Sequence, residues 1–512
     1  MNRSDGEWDS PAPSLAELAR SIGRIGSPKV LVFGDLMLDR YTWGDAERVS
    51  PEAPVLVLRA KRVEHRLGGA ASVAYLLRGL EAEVSLAGVV GDDEAGLTAS
   101  RMLDGVGIDR SAVVVDPGRP TTSKERIVGV AEHRHAHQIL RVDTESRAPL
   151  EGPIEADLLG RVIARVGQVD AVLISDYAKG TCTPGFLRAL IDHSRGLGKP
   201  VLVDPGRGVG YGRYRGATCL TPNRAEAREA TGPDIRTPAD AVEAARTLCH
   251  RCGLDAAIVT LDRDGMSLAT ADGRSGHFPA RPRRVYDITG AGDMVLGVLG
   301  LALAAGLNYT QAIGLANVAG GLEVESVGVV QVTRDQVLDD LAEHDEGLPG
   351  GSKVVDLGTL LRRVGARRRR GERIAFTNGC FDLLHPGHLH VLQEASSQGD
   401  CLVVGLNSDT SVRHLKGPAR PILLEGERAA MVAALGIVDF VCIFDDDTPH
   451  DLIAALQPDV LVKGASYAPD QIAGRDLVEA RGGSVLLRPL VDGWSTTELI
   501  GRIRRAHAAE CP

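Results

Sequence analysis

The C-terminal third of the chain contains Thr377-Asn-Gly-Cys-Phe-Asp-Leu-Leu-His-Pro-Gly-His388. The apolar run Arg373–Thr377 that leads into it is typical of a buried strand, and Pro386 suits the first position of a helix. The two histidines, His385 and His388, are three residues apart and therefore converge at the start of that helix. There both imidazoles can donate hydrogen bonds to a phosphate whose charge grows during transfer. The stretch predicts a phosphate-binding turn between a strand and a helix.

Further apolar runs around this stretch predict a small parallel sheet. They lie at residues 401–405, 440–444, 460–463 and 484–487, with longer amphipathic segments between them. The polar segment Glu343–Ser352, rich in glycine and proline, precedes this series and predicts a linker between domains.

The N-terminal part of the chain shows the same alternation over a greater length. Its clearest predicted strands are Lys29–Gly34, Ala171–Ser175, Pro200–Asp204 and Ala256–Leu261, which indicate one doubly wound sheet. Residues 41–63 and 111–143 alternate polar and apolar side chains with a period of two. We interpret these two segments as an additional small antiparallel sheet, a flap that could cover a site.

Composition sets the class of protein. A chain of 512 residues suggests about three domains, or two if one is large, and a net charge of −10 disfavours a nucleic-acid-coating protein. We expect no nucleic-acid partner because of this negative charge. We expect no membrane partner because the longest apolar run is too short to span a bilayer. The acidic N-terminus has no secretory signal pattern, so the expected location is cytoplasmic. Eight scattered cysteines do not form a disulfide framework, and Cys249 and Cys252 lack a second pair for zinc.

A second candidate for phosphate chemistry is Asp287-Ile-Thr-Gly-Ala-Gly-Asp293, directly before an apolar helix that begins at Met294. The unpaired N–H groups and positive dipole of a helix N-terminus favour an anion. An aspartate in the same turn, Asp293, can accept the proton of an alcohol that attacks a phosphoryl group. A plain glycine-rich turn remains the alternative at this point.

Residues from about 28 to 331 resemble the ribokinase-like sugar kinases through Gly68-Gly-Ala70, Asn223-Arg-Ala-Glu226 and Thr289-Gly-Ala-Gly-Asp293. The resemblance implies that Asp293 is the catalytic base. It also implies that Asn223 and Glu226 organise Mg²⁺, indirectly, and the ATP phosphates. The implied anion hole is Gly290, Ala291 and Gly292, and the other implied ATP-binding residues are Thr260, Gly265 and Asn317.

A narrower resemblance, to the heptose 7-phosphate kinases, is carried by the segments at residues 34–40, 50–55, 122–126 and 176–180. It implies a sugar phosphate substrate, which the lysines and arginines can neutralise and the aspartates can hydrogen-bond. The implied sugar-phosphate-binding residues are Asp35, Asp39, Gly68, Gly69, Lys124, Arg126 and Lys179. Two departures from the family pattern are Ser72, in place of asparagine, and Gly206, in place of lysine.

The stretch at residues 377–388 resembles the H-x-G-H nucleotidyltransferases, and further segments up to a last helix follow in that family's order. The resemblance implies that His385, His388 and Lys416 are catalytic. The implied ATP-binding residues of this half are Thr377, Asn378, Gly379, Phe381, Asp382, Lys463, Ser495, Thr496 and Thr497. The segment Ala465-Ser-Tyr467 departs from the usual Gly-Asp-Tyr.

Both halves in this order resemble the bifunctional heptose 7-phosphate kinases and heptose 1-phosphate adenylyltransferases. The resemblance implies ATP-dependent phosphorylation of D-glycero-D-manno-heptose 7-phosphate at C1. It also implies AMP transfer from ATP to heptose 1-phosphate after a separate phosphatase has acted. Mg²⁺ and a homodimer formed through the flap are implied as well. The predicted organisation is a flexible segment 1–27, a kinase domain 28–331, a linker 332–358 and a nucleotidyltransferase domain 359–512.

Two alternatives remain open. The same folds can act on another sugar phosphate or use CTP, a possibility raised by Ser72, Gly206 and the segment 465–466. One domain can instead be retained only as a nucleotide-binding regulatory module.

His133, His135 and His137 alternate along a predicted flap strand, and we interpret them as an exposed or substrate-facing face rather than a metal site.

Overall fold

The computed structural model describes residues 13–130, 137–283, 285–325, 328–344, 353–369, 371–464, 472–488, 494 and 496–510. It divides into two compact units, Met1–Leu341 and Ala342–Pro512. Of the described helices, none is long and apolar enough to cross a membrane. His133, His135, Ala465–Tyr467 and Ser495 lie outside the described residues.

The described residues of the first unit form thirteen strands and ten α-helices. The strands are β1 (Lys29–Gly34), β2 (Leu36–Val49), β3 (Leu56–Gly69), β4 (Glu83–Val90), β5 (Asp109–Val115), β6 (Thr122–Val130), β7 (His137–Thr144), β8 (Ala171–Ser175), β9 (Val201–Asp204), β10 (Cys219–Leu220), β11 (Ala256–Thr260), β12 (Met266–Thr270) and β13 (Ser275–Phe278). The helices are α1 (Leu15–Arg24), α2 (Ala70–Gly79), α3 (Glu94–Gly105), α4 (Gly152–Val166), α5 (Pro184–Gly196), α6 (Arg224–Thr231), α7 (Pro238–Cys252), α8 (Ala291–Ala304), α9 (Tyr309–Glu323) and α10 (Arg334–Glu343).

Its main sheet has nine strands in the order β13-β12-β11-β10-β9-β8-β1-β4-β5, and β12 alone runs antiparallel to the others. Side chains of β1 alternate between the two faces, with Val30 and Val32 in one core and Leu31 and Phe33 in the other. Helices α2, α8 and α9 cover the first face, and α4, α5 and α7 cover the second. The predicted doubly wound sheet is confirmed.

The flap is a four-stranded sheet in the order β3-β2-β6-β7. We expected it to be antiparallel, but β2 and β6 are parallel. The physical reason is the connection: the chain passes through β4, α3 and β5 of the main unit before it returns as β6, and such a crossover joins parallel strands.

Two segments differ from the predicted domain organisation. Within the segment expected to be flexible, α1 is capped by the Ser14 hydroxyl and buries Leu18 and Ile22 against the core. Within the predicted linker, α10 buries Val337 and Leu341 in the first unit, and Val354 pairs with a strand of the second. Short amphipathic helices form here because apolar side chains three to four residues apart find a core to cover.

The second unit has five strands and seven helices. They are α11 (Leu357–Arg369), β14 (Ile374–Gly379), α12 (Pro386–Ser396), β15 (Cys401–Asn407), α13 (Asp409–Lys416), α14 (Glu425–Ala433), β16 (Phe440–Phe444), α15 (His450–Leu456), β17 (Val460–Gly464), α16 (Arg475–Glu479), β18 (Ser484–Arg488) and α17 (Thr496–Glu510). The sheet is parallel, in the order β16-β15-β14-β17-β18. Its order reverses beside β14, and ligands of such sheets bind at the carboxyl end of the strands where this reversal occurs.

Candidate active sites

The first site is built on the N-terminus of α8. Gly290 is the N-cap residue and has a left-handed φ of 96°, so the chain turns there and the N–H groups of the first helical turn open outward. Asp293 lies in that turn and is only 5% exposed. The structure thus places the implied anion hole, Gly290, Ala291 and Gly292, directly beside the implied base.

Asp293 is held by hydroxyl groups. Tyr177 Oη donates a hydrogen bond to Asp293 Oδ1 at 3.0 Å. Burial raises the pKa of Asp293 to about 6, against the opposing effects of the Ser72 and Tyr177 hydroxyls and of Lys124. At neutral pH the carboxylate is therefore mostly ionised but is a better proton acceptor than an exposed aspartate. The hydroxyl of Ser72, the residue that departs from the family pattern, faces this carboxylate.

Lys124 is the cation closest to this chemistry. Its Nζ lies 5.5 Å from the centre of the Tyr177 ring, and its charge lowers the pKa of Asp293. Within the described part of the chain, Lys124 has no carboxylate in ion-pair distance. Arg126 pairs with Asp39, and Lys179 pairs with Glu145. Lys124 is thus available to a substrate anion.

Asp35 has a different role from the predicted one. We expected it to accept hydrogen bonds from sugar hydroxyls, but its oxygens accept the backbone N–H groups of Tyr177, Lys179 and Thr181, at 2.8, 3.0 and 3.2 Å. Asp35 is 1% exposed. It anchors the loop after β8 that carries Tyr177, because three backbone N–H groups of that loop bind its two oxygens.

Two glycines form the surface between these groups. A Cβ atom at Gly68 would lie 3.0 Å from Asp39 Oδ2, and one at Gly69 would lie 2.3 Å from the carbonyl oxygen of Asp35. Gly69 also has a left-handed φ of 57° and begins α2. Because neither residue has a side chain, the surface of β2 and β3 is open at both positions.

The predicted nucleotide residues of this unit gather at the carboxyl ends of β10 and β11. Asn223 pairs with Thr260 across the two chain segments, and Gly265 forms the turn that follows. Asn223 caps α6, and its side chain and that of Glu226 form a reciprocal capping box. Asn317 instead donates to the carbonyl oxygens of Phe278 and Pro279, so it joins α9 to the end of β13.

Gly206, the other departure, is explained by packing. A Cβ atom there would lie 2.9 Å from Asp176 Oδ1, and the Gly206 N–H binds the hydroxyl of Tyr214. A lysine at this position would displace the Asp176 carboxylate. Burial raises the pKa of Glu226, and the positive charge of Arg207, the residue after Gly206, opposes this shift.

The second site lies at the carboxyl end of β14. His385 is the N-cap residue of α12, and its ring stacks on that of His388 with centroids 3.8 Å apart. Burial, with the charge of Lys416 and the neighbouring His385, lowers the pKa of His388 to about 3. Burial and Lys416 also lower the pKa of His385. Both imidazoles are therefore neutral near pH 7 and each carries one N–H donor.

Two lysines border these histidines. Lys463, at the end of β17, donates to the side-chain oxygen of Asn378, and burial lowers its pKa to about 8. Lys416 is exposed at the end of α13. Thr377, Asn378 and Gly379 end β14, so the predicted catalytic and nucleotide residues of this half meet around one strand end.

The turn before α12 is fixed by two buried ion pairs, Asp382 with Arg420 and Asp409 with Arg428. Phe381 has a positive φ of 42°, and its ring lies 5.1 Å from that of His388. Asp382, predicted to bind ATP, is 1% exposed and instead pairs with Arg420 and accepts the N–H groups of Ile422 and Leu423. Its role in the structure is to attach the turn to the segment that follows α13.

Sequence reasoning missed Arg428, the largest fully buried side chain. It donates to the carbonyl oxygens of Cys380 and Leu423 and pairs with Asp409 at 2.7 Å. The signal in the sequence is an arginine on the apolar face of a predicted helix, where an unpaired charge is costly and a partner is required. Tyr177 was also missed, although it lies between predicted site residues.

The start of α17 closes the second site. The carbonyl oxygen of Trp494 would lie 3.3 Å from a Cβ atom at Gly387, so the chain before α17 approaches the histidine turn. Thr496 is buried and Thr497 is exposed in the first turn of the helix. These two hydroxyls and the helix N-terminus can bind a phosphate.

Comparisons with known proteins identify the families of the two domains. A family model described as pfkB family carbohydrate kinase matches residues 27–335, and one described as cytidylyltransferase-like matches residues 376–500. Ribokinase of Arabidopsis thaliana, solved with ribose and ATP, superposes with a TM-score of 0.51 at 21% identity over 62% of this chain and 99% of its own. Phosphofructokinase-2 of Escherichia coli gives a TM-score of 0.50 at 16% identity over 62% of this chain and 99% of its own. These two likenesses show the fold of the first unit.

The chain is therefore a bifunctional transferase, with a carbohydrate kinase followed by a nucleotidyltransferase, as the sequence predicts. Relatives named "Bifunctional protein HldE" match it over almost its whole length. The protein of Geobacter metallireducens is 48% identical over 94% of this chain and 96% of its own. Those of Trichlorobacter lovleyi and Paramagnetospirillum magneticum are 44% identical, over 95% and 96% of this chain and 98% and 99% of theirs. The chain belongs to this family of bifunctional HldE proteins.

Proposed function

We propose that the chain catalyses two steps of ADP-heptose biosynthesis. The first unit phosphorylates D-glycero-D-manno-heptose 7-phosphate at C1 with ATP. The second transfers AMP from ATP to heptose 1-phosphate and releases pyrophosphate. The observation that carries the proposal is the presence of both sites in one chain of this family: Asp293 at the N-terminus of α8, and the stacked pair His385 and His388 at the start of α12.

In the kinase reaction, the C1 hydroxyl attacks the γ-phosphorus of ATP. Its proton passes to Asp293, a bond forms between the sugar oxygen and phosphorus, and the bond to the β-phosphate oxygen breaks, so ADP leaves. The N–H groups of Gly290 to Gly292 and the dipole of α8 stabilise the charge on the transferred group. Lys124, whose Nζ lies 5.5 Å from the centre of the Tyr177 ring and whose charge acts on Asp293, adds a positive charge at the reacting end. Arg126 and Lys179 bind the 7-phosphate.

Mg²⁺ fits the nucleotide side of this site. Asp204 lies close enough to Glu226 and Asp293 that these carboxylates raise its pKa, while burial raises it most. Carboxylate oxygens that face one another are the ligands that Mg²⁺ prefers. Glu226, Asp204 and, through water, Asn223 would hold the ion. When bound, it neutralises the ATP phosphates.

In the adenylyl transfer, a phosphate oxygen of heptose 1-phosphate attacks the α-phosphorus of ATP, and the bond to pyrophosphate breaks. The nucleophile is already an anion, so the reaction needs no general base. Neutral His385 and His388 donate hydrogen bonds to the α-phosphate as its charge grows. Lys416 and Lys463 neutralise the other phosphates. Thr496 and Thr497 bind them at the start of α17, and Ser495, which lies outside the described residues, is the third predicted ligand.

The flap supports a homodimer. A second copy of the chain would cover the exposed apolar side chains of the flap. These are Val49, Val55, Leu56, Val63, Leu140 and Val142. A monomeric mass in light scattering at working concentration would contradict the dimer. We place the enzyme in the cytoplasm, where ATP and sugar phosphates are available, and propose no nucleic-acid or membrane partner.

Phosphorus NMR of the purified protein with ATP and Mg²⁺ tests the two reactions. Heptose 7-phosphate should give heptose 1,7-bisphosphate and ADP, and heptose 1-phosphate in a second tube should give ADP-heptose and pyrophosphate. Parallel tubes with other sugar phosphates and with CTP address specificity. If only these alternatives react, the two reaction types stand and the heptose or ATP assignment fails.

A further inference from the structure

Glu323 is a buried acidic side chain that the kinase mechanism above does not use. It is the last residue of α9 and is 1% exposed. Among the residues that the structure describes, neither of its carboxyl oxygens has a hydrogen-bond partner. An ionised carboxylate in this condition would be strongly disfavoured, since it has lost water and gained no donor.

The Glu323 carboxyl group packs directly beneath the anion hole. A Cβ atom at Gly290 would lie 2.4 Å from Glu323 Oε1, so the glycine leaves just enough space for this oxygen. The end of α9 also holds the segment that enters the anion hole, because the Val324 carbonyl oxygen accepts the Tyr286 N–H at 2.9 Å. Glu323 therefore contacts the turn that binds the transferred phosphoryl group.

The charged groups around Glu323 favour its neutral form. The pKa of Glu323 is raised to about 8, mostly by burial and also by the negative charges of Asp293 and Asp287. The carboxyl end of α9 adds the negative end of a helix dipole. The nearby cations that the structure describes are engaged elsewhere: Arg283, which lies against Gly321, pairs with Asp340 and Glu325, and the charge of Arg66 acts on Asp287.

We propose that Glu323 lies beneath the anion hole as a neutral carboxylic acid, and that phosphoryl transfer requires this group to stay uncharged. Loss of the proton places a negative charge against Gly290. That charge opposes both the γ-phosphate of ATP and the ionisation of Asp293. The kinase consequently has an alkaline limit set by Glu323, which is independent of the decline in adenylyl transfer that follows when Lys463 loses its proton.

The test is the kinase rate of the full chain between pH 6.5 and 9.5, measured as ADP release for wild type, Glu323→Gln and Glu323→Met. Wild type should fall about tenfold per pH unit above the midpoint. Both variants lack the ionisable group and should stay level, with rates at pH 7 within about twofold of wild type. Glu325→Gln, which changes an acid two residues away that faces Arg283, should keep the wild-type profile.

Two results would overturn the proposal. One is an alkaline limb of unchanged midpoint in both Glu323 variants. The other is a loss of more than tenfold at pH 7 in variants that still bind heptose 7-phosphate, since that would show that the ionised carboxylate is the active form. Binding of heptose 7-phosphate, the proposed substrate of the kinase unit, distinguishes this outcome from misfolding. Pyrophosphate release by the second unit of the same samples should be identical in all four proteins.

Discussion

The two active sites use burial in opposite directions. In the first, removal of water raises the pKa of an acid, Asp293, to about 6. In the second, removal of water lowers the pKa of a base, His388, to about 3. Both shifts favour the uncharged form, as burial always does. The outcome differs because one reaction must take a proton from an alcohol, whereas the other needs hydrogen-bond donors that do not titrate.

The largest expected effect separates the two sites by removing the proton acceptor. Asp293→Asn should lower the kinase rate by about 10³- to 10⁴-fold, because the amide cannot accept the C1 proton. Adenylyl transfer should be unchanged. ADP and pyrophosphate release by the same sample measure the two rates. Asp157→Asn, an exposed change on α4, is the control, and loss of both activities in Asp293→Asn would contradict independent sites.

The second effect concerns the stability of the nucleotidyltransferase unit alone. Arg428→Leu removes the partner of Asp409 and the donor to Cys380. The free energy of unfolding of the nucleotidyltransferase unit should therefore fall by about 3–5 kcal/mol. The urea midpoint of adenylyl activity should drop while that of kinase activity stays constant. Arg481→Leu, an exposed arginine of the same unit, should change neither midpoint. Equal midpoints for Arg428→Leu and wild type would show that the buried pair is not needed.

A third change removes a neutral donor from the second site. His388→Ala should lower the rate of adenylyl transfer by about 10²- to 10³-fold, since one charge-stabilising hydrogen bond is lost. His390→Ala, two residues further along α12, should keep most of the activity. Kinase activity should be equal in both variants. A small effect of His388→Ala would assign the stabilisation to the lysines instead.

The smallest effect adjusts the proton acceptor without removing it. Tyr177→Phe deletes the hydroxyl that donates to Asp293 and lowers its pKa, so the pKa should rise. The kinase rate at pH 7 should fall by a few fold, and its acidic limb should move to higher pH. An acidic limb that stays in place while the rate falls would give Tyr177 a role in binding only.

Much of this comparison could be predicted from the sequence. Buried parallel strands are read from short apolar runs, and the turns before α8 and α12 are read from glycine, proline and the residues that carry the chemistry. The parallel pairing of β2 with β6 could not be predicted, because register between distant strands depends on the intervening crossover. Likewise, Asp35 and Asp382 have the residue type of ligands, but only the fold shows that backbone donors saturate them.

The departures from the family pattern were also beyond sequence reasoning. Gly206 is explained by the Asp176 carboxylate that packs on it, a contact that the sequence alone does not show. Glu323 is one acid among many in the sequence. Its position under Gly290 follows from the packing of α9 against α8, which joins residues more than thirty positions apart.

The most direct test of opposite protonation behaviour is the pH dependence of both activities at saturating substrate in one preparation. Asp293 must be ionised to accept a proton, so kinase activity should fall tenfold per pH unit below about pH 6, and the proton that Glu323 must keep sets a separate decline above about pH 8. Adenylyl transfer should stay level from pH 5 to 7.5, because His388 is neutral throughout, and decline above about pH 8 as Lys463 loses its proton. An acidic limb near pH 6 shared by both activities would contradict the account.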